Sequence, residues 1–260
     1  MENPLYVHEE SEGSVLLNFP HSGTWVPPDV AAQLNPLGRK ITDTDWHVPK
    51  LYEFARGSVS WLQATHGRVV VDLNRDPQGA NLYPGQATTG LCPVTEFTGA
   101  GIYRDGQHPD IAVRRARYFD PYHQQLADQI ERIRARHGFC ILLDCHSIKS
   151  TLPLLFSGQL PDLNLGTFDG VSCAPQLADL MMLSLQDNGF SFVQNGRFKG
   201  GWITRHYGKP AQGVHALQLE ISQACYMDEN QPEQFDTGKA AALQTVLQNL
   251  ITRLTQAQIS

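Results

Sequence analysis

Short apolar runs along the chain predict the buried strands of a parallel or mixed sheet. A continuous run of this kind is typical of a strand whose two faces are both covered by other elements. The clearest run is 139–146, in which apolar residues lead directly into Asp-Cys-His-Ser. The segments that we predict as strands are 14–19, 68–75, 139–146, 152–156, 190–193 and 214–221.

Helical spacing of apolar residues occupies most of the intervals between these strands. The predicted helices are 28–34, a segment that ends near residue 56, 108–137 with a break near Asp120-Pro121, 174–188 and 237–254. Strands therefore alternate with helices, and no repeat or linker interrupts them. This order predicts one α/β domain over 1–260, with a central, mostly parallel or mixed sheet flanked by helices.

Two irregular segments are expected to contribute to function. Residues 76–106 are rich in Gly, Pro and Thr, and a loop of this length inside a compact domain is usually functional. We expect it to cover the site. Residues 200–208 are predicted to form a glycine-bounded turn that holds an Arg, a His and a Tyr together, and 158–172 are predicted to be loop.

Composition excludes several classes of partner. The 260-residue chain has a net charge of −6, so it lacks the basic surface that nucleic acids or acidic membranes require. We find neither a run of about 18 apolar residues nor a signal-peptide pattern. The five cysteines form no CxxC pair, which predicts reduced thiols in the cytoplasm. We expect a monomer or a small homo-oligomer.

Polar side chains stand at the ends of several predicted strands. His21 follows the first strand, Asn74 and Arg75 follow the second, and His146 ends the third. Glu220 lies on a strand that is otherwise built for a core. Ligands of open α/β sheets bind just beyond the carboxyl ends of the strands, so these side chains are expected to meet there.

These residue types fit metal-assisted hydrolysis of an amide. Two histidines and one carboxylate, from Asp43 or Asp45, form the ligand set of a catalytic zinc. Glu220 would act as the general base, and Arg75 would hold a substrate carboxylate. The residues alone leave other roles open: ordinary loop hydrogen bonds for the histidines, helix capping for one aspartate and a structural ion pair for Glu220.

Five strings of the sequence resemble the N-formylglutamate amidohydrolase family. They occur in the family's order and extend over almost the whole chain. The Asp-Leu-Asn-Arg string also resembles aspartoacylases and succinylglutamate desuccinylases, which are similar to zinc carboxypeptidases. The strings are NFPHSGT at 18–24, DTDWH at 43–47, VDLNR at 71–75, LDCHS at 143–147 and LQLEI at 217–221.

The resemblance implies a phosphorylase/hydrolase-like α/β fold and a zinc-dependent amidohydrolase with one Zn²⁺ per chain. It also implies the reaction of N-formyl-L-glutamate with water to give formate and L-glutamate, a late step of histidine breakdown. The expected partner is therefore a small acidic N-acyl amino acid.

The resemblance further suggests a role for each site residue. His21, Asp45 and His146 are the expected metal ligands, with Asp43 left as a helix cap. Relatives of this type place a Glu close behind the first His, but position 24 here is Thr. Glu220 matches the catalytic glutamate.

The substrate has two carboxylates and needs two cations. Asn74 and Arg75 are both expected to bind substrate, and Arg75 matches the carboxylate-binding arginine of the resemblance. Arg205 and Arg104 are candidates for the second cation, and the glycine-bounded turn favours Arg205.

Three alternatives remain at this stage. The protein could be another N-acyl amino acid amidohydrolase or a carboxypeptidase-like enzyme, or a metal-free binding protein on the same fold. A serine hydrolase is the third alternative, but neither Ser22 nor Ser147 lies in a Gly-x-Ser-x-Gly elbow.

Overall fold

One mixed sheet forms the centre of the molecule. The computed structural model describes residues 3–82, 85, 88–186 and 188–259. Within these residues seven strands pair in the order β1-β3-β2-β4-β7-β5-β6. Their bounds are β1 Tyr6–Glu9, β2 Val15–Phe19, β3 Ser60–Ala64, β4 Cys140–Ile148, β5 Leu163–Gly166, β6 Phe192–Gln194 and β7 Val214–Ser222.

The four neighbouring strands β3, β2, β4 and β7 all run parallel. Strands β1 and β5 pair antiparallel with β3 and β7, and β6 is parallel to β5. The carboxyl ends of the four parallel strands consequently share one edge of the sheet. The predicted fold class, a mixed sheet flanked by helices, is confirmed.

Helices cover both faces of the sheet. Strand side chains alternate between the two faces, so each strand supplies two cores. In β4, Ile141 and Leu143 pack with the helices α5 (Pro175–Ser184) and α7 (Thr237–Thr255), whereas Leu142 packs with α4 (Asp120–His137). The helices are α1 Pro28–Gln33, α2 Val48–Leu51, α3 Ile111–Arg114, α4 Asp120–His137, α5 Pro175–Ser184, α6 Trp202–Tyr207 and α7 Thr237–Thr255.

One face of the sheet changes from apolar to polar toward its carboxyl edge. On the face that packs against α4, the residues Leu16, Leu142 and Ala216 are apolar and buried. Two residues further along each strand, the same face presents Asn18, Asp144 and Gln218, which are paired in register. His146 and Glu220 follow as the next register pair. The alternation of the strands thus places all five polar residues on one face: Asn18, Asp144, His146, Gln218 and Glu220.

Several predicted elements differ from those observed. Residues 68–75 form turns and irregular chain rather than a strand, and the strand lies just before them at β3. The β-branched residues Val69–Val71 are buried, but they belong to the core on the α4 face of the sheet without forming a strand. Residues 152–156 are also largely turn, and β5 lies inside the segment predicted as loop.

Three helix predictions also need correction. The helix over 108–137 does not break at Pro121, because a π-helical turn at Arg115–Phe119 joins α3 to α4 and Pro121 sits in the first turn of α4. Residues 202–207 form α6 rather than a turn. Asp43 does not cap α2, because the N-cap position is His47, whose side chain forms no capping hydrogen bond.

Two further observations concern the cysteines and the possibility of a membrane-spanning helix. All five cysteines are unpaired. Across the described part of the chain, no helix combines the length and apolar character needed to span a membrane.

Candidate active site

Two histidines and one aspartate converge at the carboxyl edge of the sheet. His21 follows β2, His146 lies near the end of β4, and Asp45 comes from the turn that precedes α2. One ligand atom from each residue lies within 4.8 Å of the others, and all three side chains are buried. The backbone N–H of Asp45 donates to the carbonyl of His21 at 3.0 Å, which fixes the aspartate beside the histidine.

Carboxylates hold the far side of both imidazole rings. The Nε2 atom of His21 lies 2.8 Å from Asp72 Oδ1, and Nε2 of His146 lies 2.8 Å from Asp144 Oδ2. A ring that donates its Nε2–H to a carboxylate keeps a lone pair at Nδ1. The two Nδ1 atoms face each other at 3.2 Å, and Asp45 Oδ2 lies 2.9 Å from that of His146. Carboxylate-backed rings of this kind are typical of metal-ligating histidines.

The carboxylate behind His146 is itself fixed by buried hydrogen bonds. Asn18 Nδ2 donates to Asp144 Oδ1 at 2.7 Å, and Asn74 Nδ2 donates to Asp144 Oδ2 at 3.1 Å. The hydroxyl of Tyr122 on α4 donates to Asn18 Oδ1 at 2.6 Å. The chain of bonds therefore reaches from α4 through the sheet to the imidazole ring.

Arg68 neutralises much of the buried negative charge. Its Nη2 donates to Asp45 Oδ1 at 3.0 Å and lies 2.7 Å from His21 Nδ1, and its Nη1 donates to Asp72 Oδ2 at 3.0 Å. Sequence reasoning missed both Arg68 and the role of Asp72. The available signal was a charged residue at each end of the apolar run 69–71, which we interpreted as part of a buried strand that ends in polar residues.

The charges of the cluster shift its pKa values strongly. Burial opposes ionisation of Asp45, but hydrogen bonds with His146 and His21 and the charge of Arg68 hold its pKa below the usual range. Burial likewise opposes the charged form of His146, yet Asp144 and Asp45 raise its pKa well above the usual value. Because two carboxylates favour a cation at this ring, they also favour a bound metal ion.

Glu220 lies on β7 beside His146. Its Oε2 accepts a hydrogen bond from Gln218 Nε2 at 2.8 Å, and Gln218 Oε1 accepts one from the backbone of Gly201 at 2.7 Å. Burial, together with the negative charges of Asp45 and Asp144, raises the pKa of Glu220 to about 7, against the opposing effects of His146 and Arg68. A carboxylate with this pKa can accept and return a proton near neutral pH.

A cleft opens directly onto these residues. Including its solvent-open part, it has an empty volume of about 580 Å³, which suits a small amino acid derivative. Its polar lining includes His21, His146 and Glu220. Its apolar lining consists of Phe97, Ile148, Leu155 and Phe198.

Of the predicted substrate-binding residues, Asn74 and Arg75 line this cleft. Asn74 Oδ1 accepts the backbone N–H of Ile203 at 2.7 Å, so the amide is held between α6 and the strand end. Arg75 donates from Nε and Nη2 to Thr89, at 2.9 and 3.1 Å, and lies 3.5 Å from Asp72. Its guanidinium is thereby fixed at the cleft wall.

The other two predicted arginines do not belong to the lining of the cleft. Arg205 donates to the carbonyls of Gly200 and Leu82 and stacks on Phe168. Arg104 Nε donates to the carbonyl of Leu34 at 3.2 Å. Arg68 and Arg197 line the cleft instead.

The segment 76–106 contributes Thr88 and Phe97 to the cleft. The Phe97 ring lies over the guanidinium of Arg68, 5.0 Å from its centre. The backbone N–H of Phe97 donates to Asp43 Oδ2 at 2.8 Å, which is the bond that Asp43 makes in place of the predicted helix cap. Residues 83, 84, 86 and 87 of this segment lie outside the described residues.

Comparisons with known proteins agree on one family. The sequence model of N-formylglutamate amidohydrolase matches residues 13–227. The chain is 47% identical over 246 residues to the N-formylglutamate deformylase of Pseudomonas aeruginosa, with 92% of each chain covered. It is 44% identical over 246 residues to that of Pseudomonas putida, covering 92% of this chain and 91% of the relative.

A solved structure shares both the fold and the family name. The crystal structure of N-formylglutamate amidohydrolase from Ralstonia eutropha JMP134 superposes with a TM-score of 0.82 at 28% identity. The superposition covers 96% of this chain and 97% of that structure. The likeness therefore extends over nearly the whole of both molecules.

Proposed function

Because this chain belongs to the N-formylglutamate amidohydrolase family, we propose that it hydrolyses N-formyl-L-glutamate to formate and L-glutamate. The observation that carries the proposal is the buried cluster of His21, Asp45 and His146 beside Glu220. The reaction would serve as a late step of histidine breakdown. The five unpaired cysteines support a cytoplasmic location.

We propose one zinc ion per chain, held by His21, Asp45 and His146. The donor set fits zinc because it offers two imidazole nitrogens and one carboxylate oxygen, the ligands of many catalytic sites. The carboxylates behind both rings support this assignment, since they leave the Nδ1 lone pairs toward the cluster. When bound, the ion would acidify water and polarise the formyl carbonyl.

Glu220 acts as the general base in this proposal. Its carboxylate takes a proton from the water that attacks the formyl carbon. The same carboxyl group then returns the proton to the amide nitrogen, so that the C–N bond breaks and L-glutamate leaves as an amine. The hydrogen bond from Gln218 Nε2 to Glu220 Oε2 orients the carboxylate, and its other oxygen carries out the transfer.

Arg75 holds the α-carboxylate of the substrate in the same proposal. It follows Asn74, whose amide contacts Asp144 behind His146. The guanidinium therefore lies close to the ligand cluster, which we define as His21, Asp45 and His146. Its bonds to Thr89 fix the side chain before substrate arrives, which reduces the entropy lost on binding. An arginine fork matches the geometry of a carboxylate.

Replacing Arg75 with methionine is expected to raise KM for N-formyl-L-glutamate about 10- to 100-fold, because a charge-assisted bond contributes about 1.5–3 kcal/mol. The value of kcat and the zinc content should change little. Steady-state kinetics and metal analysis measure both. Arg253→Met, the same change at an exposed position of α7, serves as the control. An unaltered KM in Arg75→Met would remove Arg75 from the substrate site.

The reaction itself is tested with a panel of acyl groups. Formate release from N-formyl-L-glutamate should exceed the turnover of N-acetyl- and N-succinyl-L-glutamate. Faster cleavage of either of the other acyl groups would instead indicate a different N-acyl amino acid amidohydrolase. No turnover of any of the three would favour the binding-protein alternative.

A further inference from the structure

A single turn of the chain, residues 72–74, backs both histidines of the ligand cluster. Asp72 Oδ1 lies 2.8 Å from Nε2 of His21 and also accepts the backbone N–H of Asn74 at 2.9 Å. Asn74 Nδ2 donates at 3.1 Å to Asp144 Oδ2, the oxygen that faces Nε2 of His146. The orientation of both imidazole rings therefore depends on where this turn lies.

The carbonyl of Leu73, at the centre of this turn, is held by a histidine from another element. Residues 68–75 form no strand, so this carbonyl has no sheet ladder to join. It lies 2.9 Å from Nε2 of His123 on α4. A carbonyl offers no proton, so Nε2 of His123 carries the hydrogen and donates it. Burial lowers the pKa of His123 to about 3, so the ring stays neutral and its Nδ1 remains an acceptor.

Contacts with α6 hold the His123 ring in this orientation. The Nδ1 atom of His123 lies 3.0 Å from the hydroxyl oxygen of Tyr207, and the ring of Trp202 meets the imidazole edge to face, with 4.8 Å between the ring centres. The same helix also contacts the turn, because the backbone N–H of Ile203 donates to Asn74 Oδ1 at 2.7 Å. His123, α6 and the turn at 72–74 therefore form one connected unit.

A π-helical turn directs His123 toward this segment. Arg114, on α3, is also buried, and its Nη1 donates to the carbonyls of Val69 and Val70 at 3.2 Å. Arg114 and His123 are nine residues apart, which is about two and a half turns of a regular α-helix and would place them on opposite sides. The π-helical turn Arg115–Phe119 lies between them and has more residues per turn, so both side chains reach the same irregular segment.

We infer that His123 is a positioning residue for the ligand cluster, and this inference rests on the proposed function. By fixing the carbonyl of Leu73, His123 holds the turn at 72–74 against the far side of both imidazole rings. His123 itself belongs neither to the ligand cluster nor to the described lining of the cleft. It therefore acts through the partners of the ligands, and such partners typically contribute about 10- to 100-fold to metal affinity.

The test is the Zn²⁺ affinity of the metal-free protein, measured by competition with a chelating dye. His123→Phe keeps an aromatic ring beside Trp202 but has no donor for Leu73, and its affinity should fall about 10-fold or more. His123→Gln places an amide N–H near the position of Nε2 and should keep an affinity within a few-fold of the wild type. Rescue by glutamine would assign the effect to the hydrogen bond rather than to the volume of the ring.

His215→Phe is the matched control. His215 is also buried and also bonds to the backbone, because its Nδ1 accepts the N–H of Ala174 at 3.1 Å. It lies near the start of β7, whereas the ligand cluster lies at the carboxyl edge of the sheet. Thermal stability should fall in both phenylalanine variants, but zinc affinity should fall only in His123→Phe.

Three results would overturn the inference: a wild-type affinity in folded His123→Phe, an equal loss in His123→Gln, or a loss in His215→Phe. If His123→Phe does not fold, His123→Asn replaces it, because asparagine places its amide near Nδ1 rather than Nε2. This variant should show the same weakened affinity, and a wild-type value would again contradict the inference.

Formate release separates this inference from the proposed function. A wild type that binds zinc but releases no formate from N-formyl-L-glutamate would contradict the proposed function, while the zinc affinities of the variants would still decide the inference. A wild type that binds no zinc would overturn the inference whether or not formate is released.

Discussion

Glu220→Gln is expected to reduce kcat for formate release by about 10²- to 10⁴-fold, the usual contribution of a general base. Glutamine preserves the size of the side chain but cannot accept the proton of the attacking water. Zinc content and substrate KM should stay near wild-type values, because Glu220 is not in the ligand cluster. Rapid assays of formate and elemental analysis of the purified protein measure these quantities.

The control for this variant is Glu233→Gln, the same change at an exposed position. It should retain full turnover. Turnover of Glu220→Gln within a few-fold of wild type would remove Glu220 as the base. Loss of zinc together with activity would instead place Glu220 among the groups that hold the metal.

His146→Ala should lose both zinc and at least about 10³-fold in activity, because a catalytic metal supplies several kcal/mol of transition-state stabilisation. The substitution also leaves Asp45 and Asp144 without the imidazole between them. Removing one partner from a buried charged pair costs about 3–5 kcal/mol, so the midpoint of thermal unfolding should fall as well.

His146→Gln retains hydrogen-bonding capacity and separates the two effects. We expect a folded protein with weak zinc binding and low activity, as measured by circular dichroism, metal titration and formate release. His108→Ala, at an exposed position, is the control and should match the wild type. Normal zinc affinity in a folded His146→Gln protein would contradict the ligand assignment.

The histidines and Glu220 could be found from the sequence because local pattern determines their position. An apolar run that ends in a polar residue predicts a strand end, and parallel strands place such ends together. His21 and His146 were identified in this way, and Glu220 was identified as a carboxylate on a strand that is otherwise built for a core. The structure brings all three to one cleft. The identity of the metal and the individual catalytic roles stay predictions.

The choice between Asp43 and Asp45 could not be made from local pattern. Both precede the same short helix, and only the three-dimensional structure shows what each contacts. Asp45 joins His146, whereas Asp43 accepts the backbone N–H of Phe97. A cap was the natural expectation for Asp43, but Phe97 lies more than fifty residues along the chain and no short-range signal links the two.

The presence of Arg68 and Arg197 at the cleft was missed for a similar reason. The run Val69–Val71 has the composition of a strand, yet the structure forms turns there, and the turns direct Arg68 into the ligand cluster. Arg197 reaches the cleft through the position of β6 at the sheet edge. Strand order depends on pairings between distant segments, which the sequence does not reveal. We therefore chose Arg205 as the candidate for the second substrate carboxylate, because glycines bound its segment.

The central claim is tested most directly by measuring formate release and zinc content on the same sample, before chelation, after chelation and after zinc is returned. The account predicts about one zinc per chain, loss of N-formyl-L-glutamate hydrolysis when the metal is removed, and recovery when zinc is restored. Undiminished hydrolysis by metal-free protein would contradict the account.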